Sequence, residues 1–431
     1  MLQIKKNVRS IDGFFKNKIN IVKIINPKKI KIKKLSVIGK GNSISGIPYD
    51  KGSTLINLVS DEQIKYYKKK NELFVSGNTT VNKIHNFLTQ KKLYFPSFPS
   101  YTNVTLGACI ANCVHGNNPK NGTIKKFITE INLFNPNFGL KVLTPKKNKK
   151  LFDLTIGGMG MTGVVLSAKF KVFKLKSNFI KIEKNIKFED LFSMYKYLRL
   201  SKYIYNQNNF FINFNKKNFF VGRVSSGNFY QKKFSKKLLK TKKISNIRTN
   251  LFSINIFKKL FEKLILYKEL FLNKTIIHIN DALYPSNNKL LYFNLLSSKF
   301  IEHQIIIPHK NVRKFLNSFT DLVKSSCPLI TLCHFKIFNG KSKYLQFDGK
   351  GLGFSIHISI DKNFDNFYNK FLILNKKNKC TINIYKNSYI NSKIIEQNYN
   401  STYKKFKKEI IKINNVYTFN NNIFNHRNFY K

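Results

Sequence analysis

Glycine is scarce in this chain, 20 in 431 residues, yet small residues gather in three places within the first 165. These are GKGNSISG (39–46), VTLGACIANCVHGNNPKNGT (104–123) and TIGGMGMTGVV (155–165). A buried strand or helix would use larger apolar residues than Gly107, Ala108 and Ala111, and a plain loop would not carry Ile110 and Val114. Glycine lets a backbone take left-handed conformations and approach another group closely. Three such clusters, interleaved with strands, are hard to justify by packing alone. They imply backbone shaped around something bulky and flat.

Between the clusters the chain alternates short strands with helical spacing. Residues 34–38, 53–59 and 73–76 read as strands, and 81–93 has apolar residues at Val81, Ile84, Phe87 and Leu88, which is helix spacing. FPSFPSY (95–101) is extended and punctuated by proline, and strands follow near 127–134 and 139–143. After about residue 178 the texture changes. Strand-like runs at 209–214 and 218–224 precede a strongly basic stretch, 232–270, with helical periodicity in its second half. Strands and a helix follow over 290–326, then alternating segments at 333–338, 354–360 and 381–386, and a polar, Asn-rich tail from 391. The expected fold class is α+β, with a β-rich second part.

Taken singly, the motifs exclude more than they establish. GKGNSISG offers turn amides that could form a nest for phosphate oxygens, though such a stretch is also an ordinary tight turn. It is not the dinucleotide fingerprint, because Ile44 occupies the third glycine position. The GKS at 340–342 is not a phosphate loop, because Phe335 stands where its first glycine belongs. His115, a lone histidine, could equally be a satisfied structural residue. The five cysteines (109, 113, 327, 333, 380) have no metal-ligand spacing, and buried free thiols in a reducing compartment are expected.

Charge is the unusual total: 78 Lys+Arg against 20 Asp+Glu, a net +58. Drift toward lysine- and asparagine-rich usage and selection for an anionic partner both fit this number, and either way the charge attracts anionic surfaces over about 8–10 Å. The N-terminus lacks an apolar signal core, and no apolar run reaches the ~20 residues a spanning helix needs. A cytoplasmic protein is expected, with peripheral docking at an inner membrane as the variant.

Together, VIGKGNSISG, FPSFPSYTNVTLGACIANCVHG, NGTIKKFI and LFDLTIGGMGMTGVV resemble the FAD-binding domain of the vanillyl-alcohol oxidase / para-cresol methylhydroxylase superfamily. Order and spacing agree through the first 175 residues. Within the superfamily the chain is most similar to the decaprenylphosphoryl-β-D-ribose 2-oxidase flavoproteins. That likeness continues through FIEHQIIIP (300–308), LCHFKIFNG (332–340), INIYKNS (382–388) and the Arg427 tail. The resemblance implies a two-subdomain FAD-binding unit of the para-cresol methylhydroxylase type over 1–178. A β-sheet-based substrate domain over 179–380 would carry the basic insertion 232–270, and 381–431 would return to the flavin unit.

By the same resemblance, Lys40, Gly41, Asn42, Ser43 and Ile44 would hold the diphosphate, and Thr105, Leu106, Gly107 and Ala108 the pyrophosphate and ribityl region. Asn112, Cys113, Val114 and His115 would pass the flavin ring, Val164 would pack near the adenine, and Asn383 would lie near the flavin. His115 and Lys386 would be catalytic, with Gln304, Lys336 and Lys386 facing the substrate. Relatives with covalent flavin carry a histidine in the first glycine loop. Here that position is Asn42, so FAD is expected to be non-covalent. Ile44, Ala108, Asn117 and Asn383 also depart from the usual Tyr, Gly, Lys and Tyr.

The implied reaction is oxidation of a secondary sugar hydroxyl, foremost C2 of a polyprenyl-phosphoryl pentose in cell-envelope polysaccharide synthesis. A short-chain dehydrogenase/reductase partner would complete the epimerisation. Two alternatives stand beside it: an aldonolactone oxidase-like dehydrogenase, and a non-catalytic basic protein that binds RNA or a membrane on a flavin fold. Nucleic acid is the weakest of the partners considered. The basic segment 232–270 is either a solvated insertion or a face that docks on anionic lipid, near which each lysine would contribute about 1 kcal/mol.

Overall fold

The computed structural model describes residues 2–9, 11, 16–24, 32–50, 52–212, 219–232, 237–240, 276–288, 299–387, 389–421 and 423–424, with isolated positions between 249 and 260. The fold is α+β and is organised by three sheets. In the first, Lys16–Ile24, Thr54–Leu58 and Lys34–Ile38 run parallel, with Leu2–Arg9 antiparallel at one edge and Thr418–Phe419 parallel at the other. The second is antiparallel, in the order Ile64–Tyr67, Glu72–Ser76, Val164–Lys171, Ile128–Asn135, Gly139–Leu143.

The helix Val81–Gln90 packs beside the second sheet in the way its spacing predicts. Thr80 caps it by accepting from the Lys83 amide, and Val81, Ile84 and Leu88 are fully buried with Leu73 and Val75. The third sheet has eight strands, all antiparallel: Ile276–His278, Phe179–Phe188, Phe220–Phe229, Tyr205–Ile212, Ile330–Asn339, Lys350–Ser359, Phe300–Pro308 and Thr381–Ile382.

Helices Val312–Ser326 and Phe364–Lys377 cover one face of this large sheet. Phe315 and Phe319 meet both Phe354 and Phe371 there, with ring centroids 4.9–6.3 Å apart. Because side chains alternate along a strand, this face takes Ile301, His303 and Ile305, Cys333, Phe335 and Ile337, and Phe354, Ile356 and Ile358. The opposite face receives Glu302, Gln304, His334, Lys336, Ser355 and His357. The strand register sets the second group side by side, with Glu302 against His357 and both Gln304 and His334 against Ser355. A polar face on an otherwise apolar sheet is the feature that positions chemistry.

The structure departs from the sequence expectations in several places. The middle small-residue cluster contains a helix, Leu106–Ala111, too short for periodicity to reveal. The polar tail is the helix Ser392–Ile413, broken at Asn400 and capped by Asn391, and it buries Ile395, Tyr403, Phe406 and Ile410. Only Thr381–Ile382 of the expected 381–386 strand is paired. Four cysteines are buried, but Cys327 is exposed, in the left-handed residue that ends Val312–Ser326. The basic segment 232–270 falls almost entirely outside the described residues, so its helical expectation does too. Among the described residues, no helix is long and apolar enough to cross a membrane.

Candidate functional site

The strand Lys34–Ile38 ends in the first glycine loop, and three side chains fix that loop from behind. Asn57 donates to the carbonyls of Ile38 (3.1 Å) and Gly39 (2.6 Å). The Tyr49 hydroxyl donates to Gly41 O at 2.8 Å, and the Ile47 amide donates to Ser43 Oγ. Gly41 takes the left-handed conformation, φ +74°. Among the described residues, no partner meets the amides of Lys40, Gly41, Asn42 or Ser43. Such a run of spare donors around a left-handed glycine is an anion nest.

The second cluster arrives opposite. Thr105 caps Leu106–Ala111 and leaves no room at Gly39, where a Cβ would lie 2.5 Å from Thr105 Oγ1. The first amides of this helix are engaged: Leu106 with Thr79 O, Gly107 with Gly77 O and Ala108 with Thr105 Oγ1. This segment therefore offers a small, close wall, and the donors come from the glycine loop. Asn42 bridges the two clusters, donating to Asn103 O at 2.7 Å.

The third cluster laces onto the helix end. Gly157 and Met159 donate to Ile110 O and Ala111 O, and Gly157, Gly160 and Gly163 all have positive φ. The clusters together enclose a cleft of about 290 Å³. Lys40, Gly41, Asn42 and Ser43 line it, as do Thr105, Gly107, Ala108, Asn112 and Val164. Six expected cofactor residues lie off the lining: Ile44, Leu106, Cys113, Val114, His115 and Asn383. The Leu106 and Cys113 side chains belong to the core of the second sheet with Val114 against them, Ile44 is half-buried beside the loop, and Asn383 lies farther along. Asn57, Ser60, Gly77 and Asn78 line the cleft without having been singled out in the sequence.

Past the helix, Cys113 turns the chain left-handed (φ +44°) and delivers His115 to the polar face of the large sheet. His115 is 8% exposed, packs its ring against Phe338, and reaches Gly116 O with Nδ1 (2.9 Å) and Gln304 Oε1 with Nε2 (3.4 Å). Burial, reinforced by Lys336 and Lys386, lowers its pKa to about 3, so the ring is neutral. The Tyr385 amide fixes the Asn383 oxygen, and the Asn383 amide donates to Gln304 Oε1 at 2.6 Å. Gln304 Nε2 is left buried without a partner among the described residues. Buried donors of this kind are normally satisfied, so this one waits for an acceptor.

Around it stand the charged groups. Lys386 Nζ pairs with Glu302 Oε1 at 2.7 Å, Ser355 Oγ donates to the same oxygen, and His357 Nε2 lies 3.6 Å from Glu302 Oε2. Burial opposes ionisation of Glu302, but Lys386 and His357 hold its pKa well below the usual carboxylate range. Lys336 Nζ meets Gly116 O at 3.5 Å. Desolvation, then the Lys386 charge, lowers its pKa to about 7 against the partial support of Glu302. The structure thus brings His115, Gln304, Lys336, Lys386 and Asn383 together, and adds Glu302, Ser355 and His357.

This cluster is tied by hydrogen bonds to the segments that build the cleft. Ser45 Oγ donates to Tyr385 O, and the Tyr385 hydroxyl sits 2.9 Å from Gly157 O and 2.8 Å from Leu345 O, between Asn383 and Lys386 in sequence. The fit to a dinucleotide-sized flavin cofactor is good. It rests on free loop amides for phosphate at one end, glycines where the wall comes closest, and an orphaned amide with two lysines at the other.

Comparison with known proteins agrees. Residues 17–138 match the family described as FAD binding domain. Two curated relatives are D-arabinono-1,4-lactone oxidases. The protein from Candida glabrata is 25% identical over 201 residues, covering 43% of this chain and 38% of the relative. The one from Saccharomyces cerevisiae is 22% identical over 179 residues, covering 40% and 33%. The matched part is thus about a third of each relative's length. On these observations the chain carries an FAD-binding domain, and FAD is its cofactor.

Proposed function

We propose that this protein is an FAD-dependent oxidoreductase that oxidises a CH–OH group of a sugar-derived substrate, with an aldonolactone such as D-arabinono-1,4-lactone as the foremost candidate. The observation that carries the reading is the bonding of Tyr385, between Asn383 and Lys386, to Ser45 of the first glycine loop and Gly157 of the third cluster, which ties the Gln304–Lys336–Lys386 group to the segments that build the cleft. Bound FAD would supply hydride acceptance. The protein's part is to hold phosphate on the amides of Lys40–Ser43, close the wall at Gly107 and Ala108, and present Gln304 Nε2 and the lysines to developing negative charge. His115 serves as a neutral contact at the junction. The division into a flavin unit over 1–178, a substrate unit over 179–380 and a returning segment over 381–431 belongs to the same proposal.

One observation favours a second reading. Two lysines share the pocket with a single carboxylate, Glu302, which pairs with Lys386 alone, and this suits an anionic substrate such as a polyprenyl-phosphoryl pentose. That reading would call for a short-chain dehydrogenase partner and contact with an anionic membrane surface.

A visible spectrum of the purified protein, repeated on the supernatant after acid precipitation, is the test. Flavin released to the supernatant supports FAD held without a covalent link, as Asn42 leads us to expect. Colour kept in the pellet overturns the non-covalent assignment. A protein that stays colourless with added FAD overturns the oxidoreductase reading in favour of a basic binding protein. Anaerobic bleaching by D-arabinono-1,4-lactone, compared with a polyprenyl-phosphoryl pentose, then separates the two substrate classes.

A further inference from the structure

The two pocket lysines are not equivalent. We propose that Lys336 accepts the proton of the substrate hydroxyl, and that Glu302 assigns it this role by holding Lys386 in an ion pair. The proposal rests on the oxidoreductase reading above. Its basis is the distribution of counter-ions over the polar face. Lys386 has a 2.7 Å ion pair with Glu302, itself buried and held by Ser355 and His357. Lys336 has a single long contact, 3.5 Å to the Gly116 carbonyl, and no carboxylate among its bonded partners in the described residues.

The other titratable groups facing Lys336 do not compete. His334 on its own strand and His115 on the loop opposite are both pushed toward the neutral form by burial. The neutral His115 ring has one N–H and one lone pair, shared between Gly116 O and Gln304 Oε1, and with its pKa lowered to about 3 by burial it is a far weaker base than Lys336. From the strand Phe300–Pro308 comes Glu302, already ionised and paired, and from Lys350–Ser359 comes His357, which contacts that carboxylate. From 381–387 comes Lys386, whose charge discourages a second ammonium nearby. Lys120, on the turn packed against the Lys336 strand, is spent on the carbonyls of Arg199 and Ser201. The lowered pKa of Lys336, about 7, agrees with this arrangement.

The step balances simply. The substrate O–H bond breaks and its proton passes to the lone pair of Lys336 Nζ. The O–H electron pair forms the C=O bond as the C–H pair leaves as hydride, for which bound FAD would be the acceptor. Lys386, held in its ion pair, stabilises negative charge throughout and takes no proton.

Two measurements on the full-length, FAD-loaded protein test this. Competitive labelling with acetic anhydride between pH 6 and 10, read by mass spectrometry, should find Lys336 at least about tenfold more reactive than Lys386 at pH 8. Glu302→Gln should shrink that ratio, because Lys386 loses its counter-ion. Equal or reversed reactivities in the wild type overturn the proposal without touching the FAD reading.

In anaerobic flavin reduction, with whichever of the two probe substrates bleaches the wild type, the rate should rise with pH through neutrality. Lys336→Met should lower it about 100-fold and abolish that rise. Lys336→Arg, which keeps charge but cannot take a proton, should not restore it. A rising limb retained in either variant overturns the assignment. Failure of both probes to bleach the wild type overturns the oxidoreductase reading itself, while the labelling still decides which lysine is neutral.

Discussion

The cleft and the polar sheet face do opposite kinds of work with opposite materials. The cleft is built from backbone: free amides at Lys40–Ser43, glycines at the closest approaches and scarcely a charged contact. The sheet face is built from side chains drawn from three strands and the segment after Thr381–Ile382, and its members are polar or charged. Backbone donors cannot titrate, so the cleft suits holding a constant anion. Side chains can titrate, so the face suits chemistry in which a proton moves.

Substitutions should break this contrast from each side, and the largest effect is expected at Gly77. A Cβ there would lie 2.0 Å from Val165 O, so Gly77→Val should cost about 3 kcal/mol or more and abolish FAD uptake. Urea unfolding and flavin content read both. On the sheet face, Glu302→Ala should destabilise by about 1–3 kcal/mol. That is below the cost of breaking a fully buried pair, because the Lys386 side chain is 31% exposed. A calorimetric melt measures it.

Lys336→Met should go the other way. The folded protein sheds the Lys336 proton near pH 7, whereas the unfolded chain keeps it to about 10.4. Between those values the unfolded state binds more protons, so this group makes stability rise with pH. Replacing it should stabilise the protein at pH 7 and below by about 1 kcal/mol, discounted for partial hydration, and flatten that slope. The smallest effect is expected at Asn42, where alanine loses one hydrogen bond to Asn103 O and about 1 kcal/mol. FAD should bind a few-fold more weakly with the melting point almost unchanged, as titration would show.

The two regions also differed in how much the sequence disclosed. The cleft was legible because its signal is local: glycines 39, 41, 107, 157, 160 and 163 sit in short stretches beside strands. The lysines, Gln304 and His115 came by resemblance, and Glu302, Ser355 and His357 were missed. Those three meet through strand register, across 53 and 55 residues of sequence from Glu302. A signal existed, in polar residues at alternate positions of otherwise apolar strands: 302 and 304, 334 and 336, 355 and 357. The helix Ser392–Ile413 was hidden for a different reason. Its asparagines and lysines masked the spacing of Ile395, Tyr403, Phe406 and Ile410.

The pairing of Thr418–Phe419 with Lys34 and Leu35 has a consequence in time. During synthesis the strand that leads into the phosphate-holding loop must wait for a neighbour almost four hundred residues downstream. The edge of the first sheet stays unpaired while the large sheet is being made, and contacts of such separation form late. A ribosome-stalled series truncated before and after residue 419 should therefore show resistance of the 34–46 region to protease appearing only with the longer chains.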